Sequence, residues 1–138
     1  MDEAWRRPIL TRLDVDQARR EARRLSAAIG FDRGGSEAVA LAVSELAMNL
    51  CRYAIGGEIT LRRVEDGLRR GVQIESQDAG PGIPDITLAF QDGYTTGGGL
   101  GSGLPSARRF MDDFELISAP SGTRIVARKW LTTRSLSV

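Results

Sequence analysis

Glu45 and Asn49 stand four residues apart in "AVALAVSELAMNLC", residues 38–51, where nearly every other side chain is apolar or small. At helical spacing they project from one face, about one turn apart, so a carboxylate and an amide are aimed together at whatever that face meets. The pair also fits a plainer arrangement, the exposed stripe Glu45, Asn49 and Arg52 of an amphipathic helix. What lies elsewhere in the chain decides between the two.

Asp78 ends an alternating run and enters "DAGPGIP", whose glycines at 80 and 82 let a ligand approach the backbone closely. A strand-terminal carboxylate is a fixed hydrogen-bond acceptor, and the amino group of a purine is a donor, so this placement can select adenine. A second glycine cluster, "GGGLGSGLPSARRF" at 97–110, puts five glycines between Gly97 and Gly103 directly before a helix-like run. Bare amides leading into a helix N-terminus favour an anion, because those N–H groups are unpaired and the helix dipole adds partial positive charge. Phosphates are the natural occupant, with a flexible linker as the plainer alternative. The cluster is not a Walker A loop, since "GSGLPS" stands where Gly-Lys-Ser/Thr is needed. No register yields a dinucleotide fingerprint, and protein-kinase signatures are missing.

Composition removes several other chemistries. The chain has no histidine, which excludes a Ser-His-Asp triad, a phosphohistidine relay on this chain and a His-ligated zinc. Its only lysine is Lys129, and its only cysteine, Cys51, excludes an internal disulfide. A formal net charge of +1 favours neither nucleic acid nor an anionic membrane. Neither an export signal nor a membrane-length apolar run is found, so a cytoplasmic protein is expected. At 138 residues the chain is expected to form a single domain with a frayed tail from about 132.

These residues need elements to hold them. "PILTRL" at 8–13 alternates like a strand, and Val15, Ala18, Ala22, Leu25 and Ile29 mark the buried face of a helix that Gly30 closes. Arg19, Arg20, Arg23 and Arg24 lie opposite, as a solvated face or a docking face. "DRGG" reads as a turn, and Ser36 as the N-cap of a second helix reaching about Ala54. "EITLRRVE" and "VQIESQD" form one hairpin around "DGLRRG", while "FELISA" and "TRIVARKW" form another around "PSG". Between them, 79–84 reads as loop, 85–90 as a short helix and 91–103 as a segment that orders around a ligand. A third long helix is expected from Leu104, with Pro105 in its first turn. Together these elements predict a mixed sheet of four or five strands with helices on one face.

"ELAMN", "DAGPG" and "GLGSGL", followed by Gly122-Thr123, resemble in this order the N, G1 and G2 boxes and terminal Gly-Thr of the GHKL ATPases, the group that holds gyrases, bacterial histidine kinases and anti-sigma-factor serine kinases. The resemblance covers nearly the whole chain and implies an α+β fold, the two-layer Bergerat sandwich of a mixed sheet with helices on one face. Within the group, "SELAMNL", "DGYTTGGGLGSGLPSARRFMDDF" and the closing "KWL" are most similar to the serine/threonine switch kinases of the stressosome. The resemblance implies ATP and Mg²⁺ as cofactors. It makes Asn49 the Mg²⁺ ligand, Asp78 the acceptor for the adenine amino group with Thr123 supporting that end, and Gly80 and Gly82 the shapers of the base pocket. Backbone amides around Gly99, Gly101, Ser102, Gly103 and Leu104 would hold the phosphates, and Glu45 would be the general base. Implied partners are a STAS-domain antagonist, a STAS-domain stressosome scaffold and a downstream PP2C-type phosphatase or other effector, with no nucleic acid and no membrane. The other reading left open is a nucleotide-gated, anti-sigma-type binding module in which phosphotransfer is secondary. A third is an arginine-rich interaction domain that binds no nucleotide.

Overall fold

Asp14 sets the start of the first helix. Its Oδ2 accepts the amides of Leu10 at 2.9 Å and Thr11 at 3.1 Å, and its Oδ1 accepts Arg7 Nε at 2.8 Å. The Leu10 amide foremost, then the Arg7 guanidinium and the Thr11 amide, hold this carboxyl at about 2, below its ordinary 3.8. In the computed structural model, which describes residues 4–53, 57–78, 103–120 and 122–131, helix α1 then runs Arg12–Ile29. The strand expected at 8–13 is therefore displaced: β1 is Trp5–Pro8, and the capping around Thr11 and Asp14 draws residues 12 and 13 into the helix.

The expected apolar face of α1 is buried at Val15, Ala18, Ala22 and Ile29, and Gly30 closes the helix at φ +124°, a backbone geometry that a side chain rarely tolerates. Arg70 adds a cationic cap, donating from Nε to Ile29 O at 2.8 Å. On the outer face Arg19 pairs with Asp16, Arg24 with Glu21, and Arg23 with both oxygens of Glu37. Most of the arginine run is thus matched by carboxylates of this chain.

Helix α2, Arg33–Tyr53, starts earlier than the sequence suggests. Asp32, not Ser36, is the cap: its Oδ1 accepts the Gly35 amide at 2.8 Å, and Ser36 is buried within the first turns. Of the two glycines read as a turn, Gly35 serves packing, since a Cβ there would lie 2.8 Å from Phe31 Cδ1.

Strands β2 (Gly57–Asp66) and β3 (Arg69–Asp78) form the first hairpin, and β4 (Asp113–Ala119) and β5 (Gly122–Leu131) the second. The first turn is only Gly67 and Leu68, with Gly67 at φ +63° and Leu68 at negative φ, the pattern of a type II′ turn. Helix α3 is Gly103–Phe110, eight residues rather than a third long helix, because the chain turns at Met111 to enter β4. The five-stranded sheet has the order β1-β2-β3-β5-β4, and every pair is antiparallel. The expected mixed sheet is corrected in this respect. Strand β4 does run parallel to β3, but β5 lies between them, so the two never share hydrogen bonds.

Helices α1 and α2 pack on one face of the sheet, over Ile59, Leu61, Val72, Ile74, Ile125 and Ala127. The other face is covered by its own long side chains. There Arg62 and Arg124 flank Glu75 at 3.4 and 3.3 Å, and Arg128 donates to Gln73 at 2.7 Å, above buried Thr60 and Val126. At one end of the sheet Leu50 of α2 lies on Gly57, where a Cβ would come within 2.6 Å of Leu50 Cδ2. The loop, short helix and ligand-ordered segment expected over 79–102, and the tail from 132, lie outside the described residues.

Two substitutions test these supports. Because folding lowers the Asp14 pKa, its stabilisation is full above about pH 4 and is lost as pH falls through about 2. Asp14→Asn is therefore expected to lower the unfolding midpoint at pH 7, and the gap to wild type to close between those two pH values; a pH-independent gap would contradict the assignment. Gly57→Ala is expected to cost about 1–3 kcal/mol in denaturant unfolding, because Leu50 must be displaced from a filled contact.

Candidate active site

The end of β3 is tied to β5 by a side-chain bond as well as by the ladder. Asp78 Oδ1 accepts the amide of Thr123 at 3.2 Å, across 45 positions of sequence. Pairing of Gly57 with Asp78 and of Gln77 with Arg124 brings the two residues to the same end of the sheet. Strand alternation puts Asp78 and Thr123 on the face that carries the helices, in line with Val72, Ile74, Ile125 and Ala127. Thr123 is buried, and its hydroxyl lies 3.3 Å from that of Ser118 on β4. Asp78 is half-buried, so its carboxylate is held in place and still reaches the surface.

The second helix reaches the same end. Val39, Ala42, Val43, Leu46, Ala47 and Leu50 are buried, whereas Glu45 and Asn49 are half-buried on their own stripe. Since Leu50 sits on Gly57, and Gly57 pairs with Asp78, the last turns of α2 lie over the sheet end that bears Asp78. Asn49 stands in the final turns of α2, where the negative end of the helix dipole favours a cation.

Helix α3 is anchored by its other end. Its C-terminal side is fixed at the far end of the sheet, where the Asp112 amide donates to Arg128 O at 2.9 Å and Asp113 pairs with Arg128. From there β4 runs back to pair Ala119 with Gly122. Leu104, Ala107 and Met111 form the buried seam of a helix packed against α2. The amides of Gly103 and Leu104 open it, and Pro105, which has no N–H, stands where an intrahelical donor is not needed.

Of the residues singled out in the sequence, Asp78 and Thr123 meet at one end of the sheet, the last turns of α2, which carries Glu45 and Asn49, lie over that end, and Gly103 and Leu104 open the helix packed against α2. Gly80, Gly82, Gly99, Gly101 and Ser102 lie outside the described residues. The arrangement is electrostatically divided: α2 presents the negative end of its dipole beside Asn49, and α3 presents the positive end of its own. A divalent cation fits the first and phosphates fit the second. Asn49 would offer a single hard oxygen, which suits Mg²⁺, an ion that commonly takes its remaining ligands from phosphates and water. The sequence reading missed Ser118, whose only signal was its place one residue short of the "PSG" turn, opposite Thr123.

Residues 10–129 match the family model described as a histidine kinase-like ATPase domain. The chain is 44% identical over 124 residues to the serine/threonine-protein kinase RsbT of Bacillus subtilis (strain 168), covering 89% of this chain and 93% of the relative. The kinase class expected from the sequence is thus that of this relative. Among solved structures, the RsbU and RsbW domains of Rv1364c from Mycobacterium tuberculosis share the fold at a TM-score of 0.62 and 16% identity, over 94% of this chain and 33% of that longer one. The mycobacterial sensor histidine kinase MprB does so at 0.58 and 18%, over 91% of this chain and 97% of that one. At those identities the structures bear on the fold alone. The chain belongs to the histidine kinase-like ATPase family.

Proposed function

We propose that this protein is an ATP-dependent serine/threonine kinase of a partner-switching system, which phosphorylates a hydroxyl on a STAS-domain antagonist and on a STAS-domain scaffold, and on release activates a PP2C-type phosphatase or another effector. The observation that carries the reading is the bonded pair Asp78 and Thr123 at the sheet end over which the last turns of α2, the helix of Glu45 and Asn49, lie, in a chain 44% identical to a serine/threonine-protein kinase. The reading places the reaction in the cytoplasm, where ATP is supplied; among the described residues no helix is long and apolar enough to cross a membrane.

Each residue has a distinct task in this scheme. The Asp78 carboxylate, held by the Thr123 amide, accepts a hydrogen bond from the adenine amino group. Amides at the start of α3 address the phosphates, and Asn49 would hold Mg²⁺ with its side-chain oxygen. That ion would supply positive charge against the phosphates. Glu45 takes the proton of the partner hydroxyl as its oxygen bonds to the γ-phosphorus and the bond to ADP breaks. One helical turn separates base from metal ligand, so α2 sets their relation rigidly. Histidine is not required, because the acceptor is the partner's own hydroxyl.

Transfer of label from γ-labelled ATP with Mg²⁺ to a STAS-domain antagonist is the test. Wild type is expected to label the antagonist, while Glu45→Ala lowers the rate by ~10²–10⁴-fold and leaves ATP affinity within about twofold. Asp78→Asn keeps an acceptor for Thr123 but turns a donor toward a donor, so ATP affinity is expected to fall by tenfold or more, about 1.4–3 kcal/mol. Tight ATP binding with no label from wild type would replace this reading with the nucleotide-gated binding module.

A further inference from the structure

We propose that Lys129 is a positioning residue: by capping the C-terminal end of α3 it sets where that helix's N-terminal amides stand. The inference rests on the nucleotide reading above. Helices of fewer than about 12 residues are marginal on their own, so the placement of α3, which has eight, comes from tertiary contacts. Leu104, Ala107 and Met111 supply an apolar seam against α2, and such a seam still permits sliding and tilting. The directional contacts are at the other end. Lys129 Nζ donates to Phe110 O at 3.1 Å, satisfying a carbonyl that the end of the helix leaves without an intrahelical partner.

The neighbouring bonds make this a clasp between residues 110–113 and 128–130. Asp112 Oδ2 accepts the Trp130 amide at 2.8 Å, the Asp112 amide donates to Arg128 O at 2.9 Å, and Trp130 Nε1 donates to Asp113 Oδ2 at 2.9 Å. Arg69 lies over the Trp130 ring, 4.1 Å from its centroid. On the β3 side, Gly71 leaves room that a Cβ would take from the Lys129 carbonyl, so β5 is seated closely at the residue that bears the lysine.

Strand alternation assigns Lys129 its direction. It follows Thr123, Ile125 and Ala127 on the helix-bearing face, whereas Arg124 and Arg128 engage Glu75 and Gln73 on the other. The only lysine of the chain thus meets the negative end of α3, at the opposite pole from the phosphate end. An eight-residue helix is about 12 Å long, so a small pivot at Phe110 is carried to Gly103 and Leu104. Asp78 and Thr123 have their own bond within the sheet, with Thr123 six positions along β5 from Lys129.

A split between ligands tests the proposal. With full-length protein and Mg²⁺, dissociation constants for ATP and for adenosine are measured on wild type, Lys129→Met, Lys129→Arg and Asp112→Ala. Lys129→Met is expected to weaken ATP by about tenfold while leaving adenosine within about twofold, and Lys129→Arg, which keeps charge and donor, to recover most of the ATP affinity. Equal weakening of both ligands, or of neither, overturns the proposal, because general destabilisation would not distinguish them. Should Lys129→Met fail to fold, Asp112→Ala decides by the same ratio, since it opens the adjoining bond and leaves the lysine in place. Wild type that binds neither ligand overturns the nucleotide reading, and this inference with it.

Discussion

Helix α2 is apolar around most of its circumference, and an apolar rod is stable in water only when covered from several directions at once. Helix α1, helix α3 and strands β2 and β3 are that cover. The buried positions Val39, Ala42, Val43, Leu46, Ala47 and Leu50 leave Glu45 and Asn49 on the side that keeps contact with solvent. The polar pair therefore stands where the covering is incomplete, on a helix that its neighbours hold rigidly. The same burial that stabilises the fold orients the two groups that the proposed chemistry needs.

The sheet arranges charge along its length. At one end cations on β3 and β5 meet helix C-termini: Arg70 reaches the last carbonyl of α1, and Lys129 that of α3. At the other end Asp78 and Thr123 join β3 to β5, and α2 brings its final turns. The face of the sheet away from the helices takes no part in this division. Its arginines pair with Glu75 and Gln73, although Arg62 Nε stays buried without a hydrogen bond, and they shield strand residues beneath them.

The core face of α1, the bulk of α2, both hairpins and the helix start near Leu104 were legible in the sequence, because apolar periodicity is a local signal. Boundaries were less so. Asp14 and Asp32 moved the starts of α1 and α2 by capping, a choice among several nearby side chains that only the folded backbone makes. The two glycines after Asp32 looked like a turn since glycine is read by its freedom, yet at Gly35 the reason is the space that Phe31 fills. The mixed sheet was an inference from topology that did not foresee β5 entering between β3 and β4.

By itself the sequence determined which groups are available: a carboxylate and an amide one turn apart, a strand-terminal aspartate followed by glycines, a glycine loop before a helix, one lysine and no histidine. Those are matters of residue type and short-range spacing, and no packing alters them. Only the tertiary structure decided that Asp78 bonds to an amide 45 residues away, that Leu50 carries the end of α2 to the same place, and that Lys129 serves the far end of α3 rather than the phosphates. Each depends on strand order, register and helix polarity, which are set by how buried surfaces fit together and not by any short stretch of chain.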